Sequence, residues 1–179
     1  GTTGDPKGVM LTHGNITSNV VAGLEVLPLS VGDECLSFLP LSHIFERMAG
    51  HYCMMQSGTV INYASSIDAV PAEMQERRPT VVLSVPRLFE KIYARVLENA
   101  LSGSAIKKNI FFWAKRTGER WVEYYLSGRP VPRGLTLGYA LAKRLVFSKL
   151  HQRVGGRLRF FVSGGAPLSA DIARFFYAA

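Results

Sequence analysis

The sequence predicts an α/β fold, a mostly parallel sheet flanked by helices. Short apolar runs alternate with segments of helical periodicity, joined by short connections. The apolar runs are continuous and do not alternate polar with apolar, as in strands covered on both faces.

In chain order, 15–27 carries apolar residues at helical spacing and predicts a helix, ended by Pro28 and Gly32-Asp33. The run 34–39 predicts a buried strand that stops at Pro40. Residues 44–56 read as a helix with Gly58 as its C-terminal stop. The β-branched and aromatic run 59–63 predicts a strand. Residues 68–77 read as a helix capped by Asp68 and ended before Pro79, and 80–85 as the next strand. Pro86 suits the first turn of a helix running to about Leu101.

The alternation then breaks. Residues 106–126 form a helical stripe through Ile106, Ile110, Trp113, Ala114, Trp121 and Tyr125. Residues 135–150 form another through Gly138, Leu141, Ala142, Leu145 and Val146. A Gly/Pro loop, 127–134, separates them, so about 104–152 reads as a two-helix insertion closed by Gly155-Gly156. Residues 158–162 return to strand, and a last helix starts after Ser169 as its cap. The 179 residues are expected to form a single α/β subdomain.

Composition narrows the class. A hydrophobic fraction of 47% excludes a disordered chain. No apolar run approaches the ~18 residues of a spanning helix. Cys35 and Cys53 sit among apolar residues without metal spacing and read as buried thiols of a reducing compartment. The formal charge is +8 but uneven: 107–159 holds thirteen Lys/Arg against two Glu. Such a block suits an anionic partner, a lipid surface, nucleic acid or an acidic ligand, and equally a solvated helical face.

Chemistry concentrates in loops. Gly1-Thr2-Thr3-Gly4-Asp5-Pro6-Lys7-Gly8 combines bare amides, hydroxyls and one ammonium, an anion cradle suited to polyphosphate, though a plain Gly/Thr turn has the same composition. It is neither a Walker loop nor a dinucleotide fingerprint. Three predicted strands run into unusual loops. Pro40-Leu41-Ser42-His43-Ile44-Phe45-Glu46-Arg47 places a histidine beyond a strand end. Ser84-Val85-Pro86-Arg87-Leu88-Phe89 follows the next. Ser163-Gly164-Gly165-Ala166-Pro167-Leu168-Ser169 follows the last, its glycines letting a planar group lie against bare backbone. In open parallel sheets ligands bind at that edge. His13 and His51 show no partners in the sequence.

Gly1 to Gly8 and the following Val9-Met10-Leu11-Thr12-His13-Gly14-Asn15 resemble the phosphate loop of the adenylate-forming (AMP-dependent synthetase/ligase) superfamily. Leu39-Pro40-Leu41-Ser42-His43 and Gly164-Gly165-Ala166-Pro167-Leu168 resemble two further motifs, in the family's order. The basic insertion, with Phe111-Phe112-Trp113-Ala114 and 145–150, is similar to that of bacterial long-chain fatty-acid–CoA ligases.

The resemblance implies an ATP-dependent acid–thiol ligase that makes acyl-AMP from a long-chain fatty acid and passes it to coenzyme A. Within it, Gly1, Thr2, Thr3, Gly4 and Lys7 would bind the ATP phosphates, and Gly164, Gly165, Ala166 and Pro167 would seat adenine. His43 would orient the acyl carboxylate, and Thr3, Lys7 and His43 would be catalytic. The family's Mg2+ ligand, ribose-binding aspartate and catalytic lysine are expected beyond Ala179, so this fragment alone is expected to be inactive, with no metal ligand of its own. Fatty acyl-AMP ligases and ligases of shorter or aromatic acids share these motifs. The cytoplasm, with peripheral contact of 107–159 on the inner face of an anionic membrane, is the expected location. A non-catalytic nucleotide-binding module would not need His43, and no nucleic-acid motif accompanies the charge, so no nucleic acid is expected as a partner.

Overall fold

A computed structural model describes residues 8–179 of the chain. Gly1, Thr2, Thr3, Gly4 and Lys7, expected from the resemblance to bind the ATP phosphates, lie outside the described residues. The elements run α1 (His13–Val26), β1 (Glu34–Ser37), π1 (Glu46–Tyr52), α2 (Cys53–Ser57), β2 (Val60–Tyr63), α3 (Val70–Arg77), β3 (Val81–Ser84) and α4 (Pro86–Leu101). They continue with α5 (Ala105–Leu126), α6 (Arg133–Ala142), π2 (Lys143–Phe147), α7 (Ser148–Arg153), β4 (Phe160–Ser163) and α8 (Ala170–Ala178). The fold is α/β, with four parallel strands in the order β2-β1-β3-β4.

That order positions everything that follows. The chain steps from β1 outward to β2, then crosses β1 to reach β3 and continues to β4. Right-handed crossovers moving in opposite directions put their helices on opposite faces. One face carries Cys35, Val81 and Leu83 under Met54, Phe45 and Ala49. The other carries Leu36 and Val82 under Val70 and Met74 of α3, with Val154 and Leu158 alongside. The reversal of strand order falls between β1 and β3, the switch point beyond which open α/β sheets bind ligands.

A third core holds the helices after β3 together. Phe111, Ala114 and Val122 of α5 pack with Ala142, Phe147, Phe175 and Ala178. Phe89 of α4 joins this layer to the sheet, edge-on to Phe161 of β4 at 5.3 Å and to Phe176 of α8 at 5.2 Å.

Several local expectations are corrected. The first helix starts at His13, because Thr12 and Asn15 form a reciprocal capping box: Asn15 N–H donates to Thr12 Oγ1 and Thr12 N–H to Asn15 Oδ1. The third begins at Val70 with Ala69 at its N-cap, so Asp68 is not the cap. Ser169 occupies the N-cap of α8 but makes no side-chain bond there.

The inward face of α5 runs through Phe111, Ala114, Gly118 and Val122, while Ile106 and Tyr125 are exposed. A Cβ on Gly118 would lie 2.8 Å from the Phe147 ring and 2.9 Å from Ala178, so this glycine marks the closest approach of three elements. The second stripe fails for a related reason. Ser148 N–H bonds the carbonyl of Lys143, five residues back, and this wide turn puts Ala142 and Phe147 on one face. Leu141 and Leu145 are left facing out.

Candidate active site

Loops after β1, β3 and β4 leave the same edge of three neighbouring strands. In the first loop His43 N–H closes a turn onto the Pro40 carbonyl at 2.9 Å. The His43 ring is exposed, and its Nδ1 accepts a hydrogen bond from Phe45 N–H at 3.2 Å. A ring nitrogen that accepts carries no proton, so the neutral imidazole holds its hydrogen on Nε2. His43 therefore presents a donor beyond the strand ends.

Two residues behind His43 brace this turn from opposite sides. Glu46 is buried and bonded to Ser37 Oγ, at the end of β1, at 2.5 Å. Its carboxyl fills the space that a Cβ on Gly50 would take, and its Oε2 has no partner among the described residues. Burial raises the Glu46 pKa above its ordinary value, and the Ser37 bond opposes that only in part. Burial and then the nearby Glu46 push the Cys35 thiol up to about 12, which keeps it inert. On the outer side Arg47 Nε donates to the Leu41 carbonyl at 2.9 Å, and its terminal nitrogen reaches Tyr52 Oη at 3.3 Å. Arg47 and Tyr52 are five residues apart, a spacing that the π winding brings together.

The loop after β4 meets the other two. Gly164 N–H donates to the Ser84 carbonyl at 3.2 Å, tying it to the end of β3. The adjacent glycines serve different ends. Gly165 has φ +83°, a left-handed conformation that favours glycine. Gly164 has no such φ; a Cβ there would lie 2.5 Å from Phe45 Cζ and 2.7 Å from Cδ2. A planar group does lie against bare backbone, and it is the Phe45 ring of the first loop. Ala166 and Pro167 continue this loop toward α8.

The structure thus brings His43 and Gly164 together through Phe45. Arg87 is exposed on the first turn of α4. His51, which shows no partner in the sequence, pairs with Tyr63 Oη at 2.8 Å. Phe45 and Glu46 lie in the loop singled out in the sequence but carry no role there, and Ser37 lies within a predicted strand. The available signal for Glu46 was its spacing from Gly50, one helical turn on.

The family description "AMP-binding enzyme" matches residues 1–179. The chain belongs to the AMP-binding enzyme family. This is the adenylate-forming superfamily that the three loop motifs resemble. Relatives of this AMP-binding chain include long-chain-fatty-acid–CoA ligase 5 of Rattus norvegicus, 36% identical over all of this chain and 25% of that protein. Another is the peroxisomal long chain acyl-CoA synthetase 7 of Arabidopsis thaliana, 35% identical over 98% of this chain and 24% of its own length. The chain spans about a quarter to a third of the curated relatives it matches. Among solved structures, ATP-bound MatB of Rhodopseudomonas palustris is 22% identical with a TM-score of 0.56, over 99% of this chain and 25% of that one. The adenylation domain of a Mycobacterium chelonae carboxylate reductase is 20% identical, with a TM-score of 0.59 over 91% of this chain and 21% of that one. These two likenesses concern the fold.

Proposed function

We propose that the protein carrying this chain activates a long-chain fatty carboxylate with ATP and transfers the acyl group to coenzyme A. The observation that carries this reading is His43, held as an Nε2 donor at the switch point of a parallel sheet, beside the Gly164-Gly165 loop. Relatives named as long-chain acyl-CoA synthetases support the choice of acid and acceptor.

In the first step a carboxylate oxygen attacks the α-phosphorus of ATP, and the bond to the bridging oxygen breaks, releasing pyrophosphate. His43 Nε2–H donates to the carboxylate and holds it in line, a positioning and charge-stabilising role. Gly164, Gly165, Ala166 and Pro167 form the wall for the adenine. Gly1, Thr2, Thr3, Gly4 and Lys7 hold the phosphates, with Thr3 and Lys7 on the β- and γ-phosphates that leave as pyrophosphate. In the second step the thiolate sulfur of coenzyme A attacks the acyl carbon, and AMP leaves with its oxygen. No group of three His, Cys, Asp or Glu able to hold a metal occurs among the described residues. Mg2+ accompanying ATP would neutralise phosphate charge and would need only one or two carboxylates beside the phosphates and water.

Isotope exchange between pyrophosphate and ATP tests the reading in the full-length protein. Exchange is expected to require a carboxylic acid and to favour palmitate over acetate or benzoate. Preference for a short or aromatic acid makes it a different ligase. Transfer to a carrier protein but not to coenzyme A makes it a fatty acyl-AMP ligase.

A further inference from the structure

We propose that Phe45 is a positioning residue that couples His43 to the loop 163–169, so that the carboxylate side and the nucleotide side of the site are set together. The inference rests on the adenylation reading above and adds a link within it. Three observations on one residue carry it. The Phe45 backbone N–H bonds His43 Nδ1 at 3.2 Å and so fixes the tautomer and the direction of the ring. The Phe45 side chain occupies the space where a Cβ of Gly164 would stand. The neighbouring Glu46 is bolted to Ser37 of β1, which stops the segment from sliding away.

Phe45 also packs on the core cluster of Cys35, Met54, Val81 and Leu83, so its ring has a firm floor. Gly164 in turn is tied through its N–H to Ser84 at the end of β3. A Cβ at 164 cannot then be absorbed by the loop alone, because the Phe45 ring fills that space and the Gly164 N–H holds the loop to β3. Pushing the ring moves the Phe45 backbone, and with it the donor that holds His43. The glycine at 164 is explained by this ring, not by backbone conformation, since its φ lies outside the left-handed region.

The test is a double-mutant cycle in the full-length enzyme with Gly164→Ala, Phe45→Ala and both changes together. Palmitate-dependent ATP–pyrophosphate exchange is expected to fall about tenfold or more for each single variant, a loss in kcat with little change in the KM for ATP. The double variant is expected to be no slower than Phe45→Ala, because an alanine at 164 then meets no ring. Losses that multiply in the double variant, with a raised KM for ATP from Gly164→Ala, would overturn the proposal. They would mean that Gly164 is bare for the adenine only. Phe45→Leu keeps the core floor filled and runs the same cycle if Phe45→Ala does not fold. Nitrogen-15 NMR of labelled histidine gives a second readout that needs no turnover. His43 should show the Nε2–H tautomer in wild type and lose it in Gly164→Ala; an unchanged tautomer contradicts the link. Absence of exchange by wild type would remove the adenylation reading, while the tautomer measurement still judges the link.

Discussion

The carboxyl of Glu46 sits against Ser37 with one oxygen bonded and the other without a partner among the described residues. Burial favours its protonated form, so its folded pKa lies above the ordinary 4.5. The protonated group contributes its full stability below 4.5, and that contribution is lost as pH rises through the folded pKa. Glu46→Gln removes this titration. Melting of variant and wild type across pH should therefore shift in favour of the variant as pH rises above 4.5. Two parallel profiles would show that Glu46 ionises freely. Only part of this residue-scale detail was legible. A lone histidine and a Gly-Gly turn are unspecific by themselves; His43 and Gly164 stood out because Leu39-Pro40-Leu41-Ser42-His43 and Gly164-Gly165-Ala166-Pro167-Leu168 resemble motifs of the superfamily. Phe45 looked like an ordinary apolar helix residue, and a buried glutamate looks the same in sequence as an exposed one.

Among the elements, strands were the most legible. Each lies in a short run of largely apolar residues bounded by Pro, Gly or charge, and shortness with those boundaries is what separates it from a helix. The helices after β3 were harder. Counting large apolar residues on α5 overlooked Gly118, whose missing side chain is what admits Phe147 and Ala178. The π turn at 143–147 shifted the buried face by one residue with no sequence signature. Gly118→Ala should cost about 1–3 kcal/mol through overpacking, despite the better helix propensity of alanine. A melting temperature equal to or above wild type would contradict that packing.

The aromatic residues Phe111, Phe112, Trp113 and Trp121 pack on the third core, Phe111 buried and the other three half-buried. α6 and π2 expose Leu137, Leu141 and Leu145, with Arg133, Lys143 and Arg144 also exposed. No helix of the described residues is long and apolar enough to cross a membrane. The leucines and basic groups predict peripheral attachment of the full-length protein to anionic vesicles, with each basic residue near the surface contributing about 1 kcal/mol, roughly fivefold. Vesicle sedimentation should show binding that weakens with salt and with serine at the three leucines. Equal, salt-insensitive binding to neutral and anionic vesicles would rule this out.

At the scale of the molecule, the sheet is closed at the edge opposite the site by Asp33. Both its oxygens take Arg159, which enters β4, and Thr80 Oγ1, which enters β3, donates to it at 2.7 Å. Burial alone would raise this carboxyl, but the bonds from Arg159, Thr80 and Ser30 outweigh it and lower the pKa from 3.8 to about 2. Its stabilisation is thus present above pH 3.8 and lost as pH falls toward 2. Asp33→Asn should lower stability at pH 7 by on the order of 2 kcal/mol and flatten the acid limb between pH 4 and 2. An unaltered acid limb would contradict it. Arg157 and Arg159 bond to Glu34 and Asp33, so part of the basic block is tied to the sheet. This long-range pairing had no local signal, since 126 residues separate Asp33 from Arg159.

The central claim is that the edge beyond β1, β3 and β4 is where a fatty carboxylate meets ATP, with His43 orienting the acid. Single-turnover formation of palmitoyl-AMP by the full-length enzyme, wild type against His43→Ala, tests it most directly. Loss of one hydrogen bond to a charged group costs about 1.5–3 kcal/mol, so the rate should fall roughly ten- to more than a hundredfold. The transfer of added palmitoyl-AMP to coenzyme A should change far less. An adenylation rate equal to wild type in a folded His43→Ala protein would contradict the account.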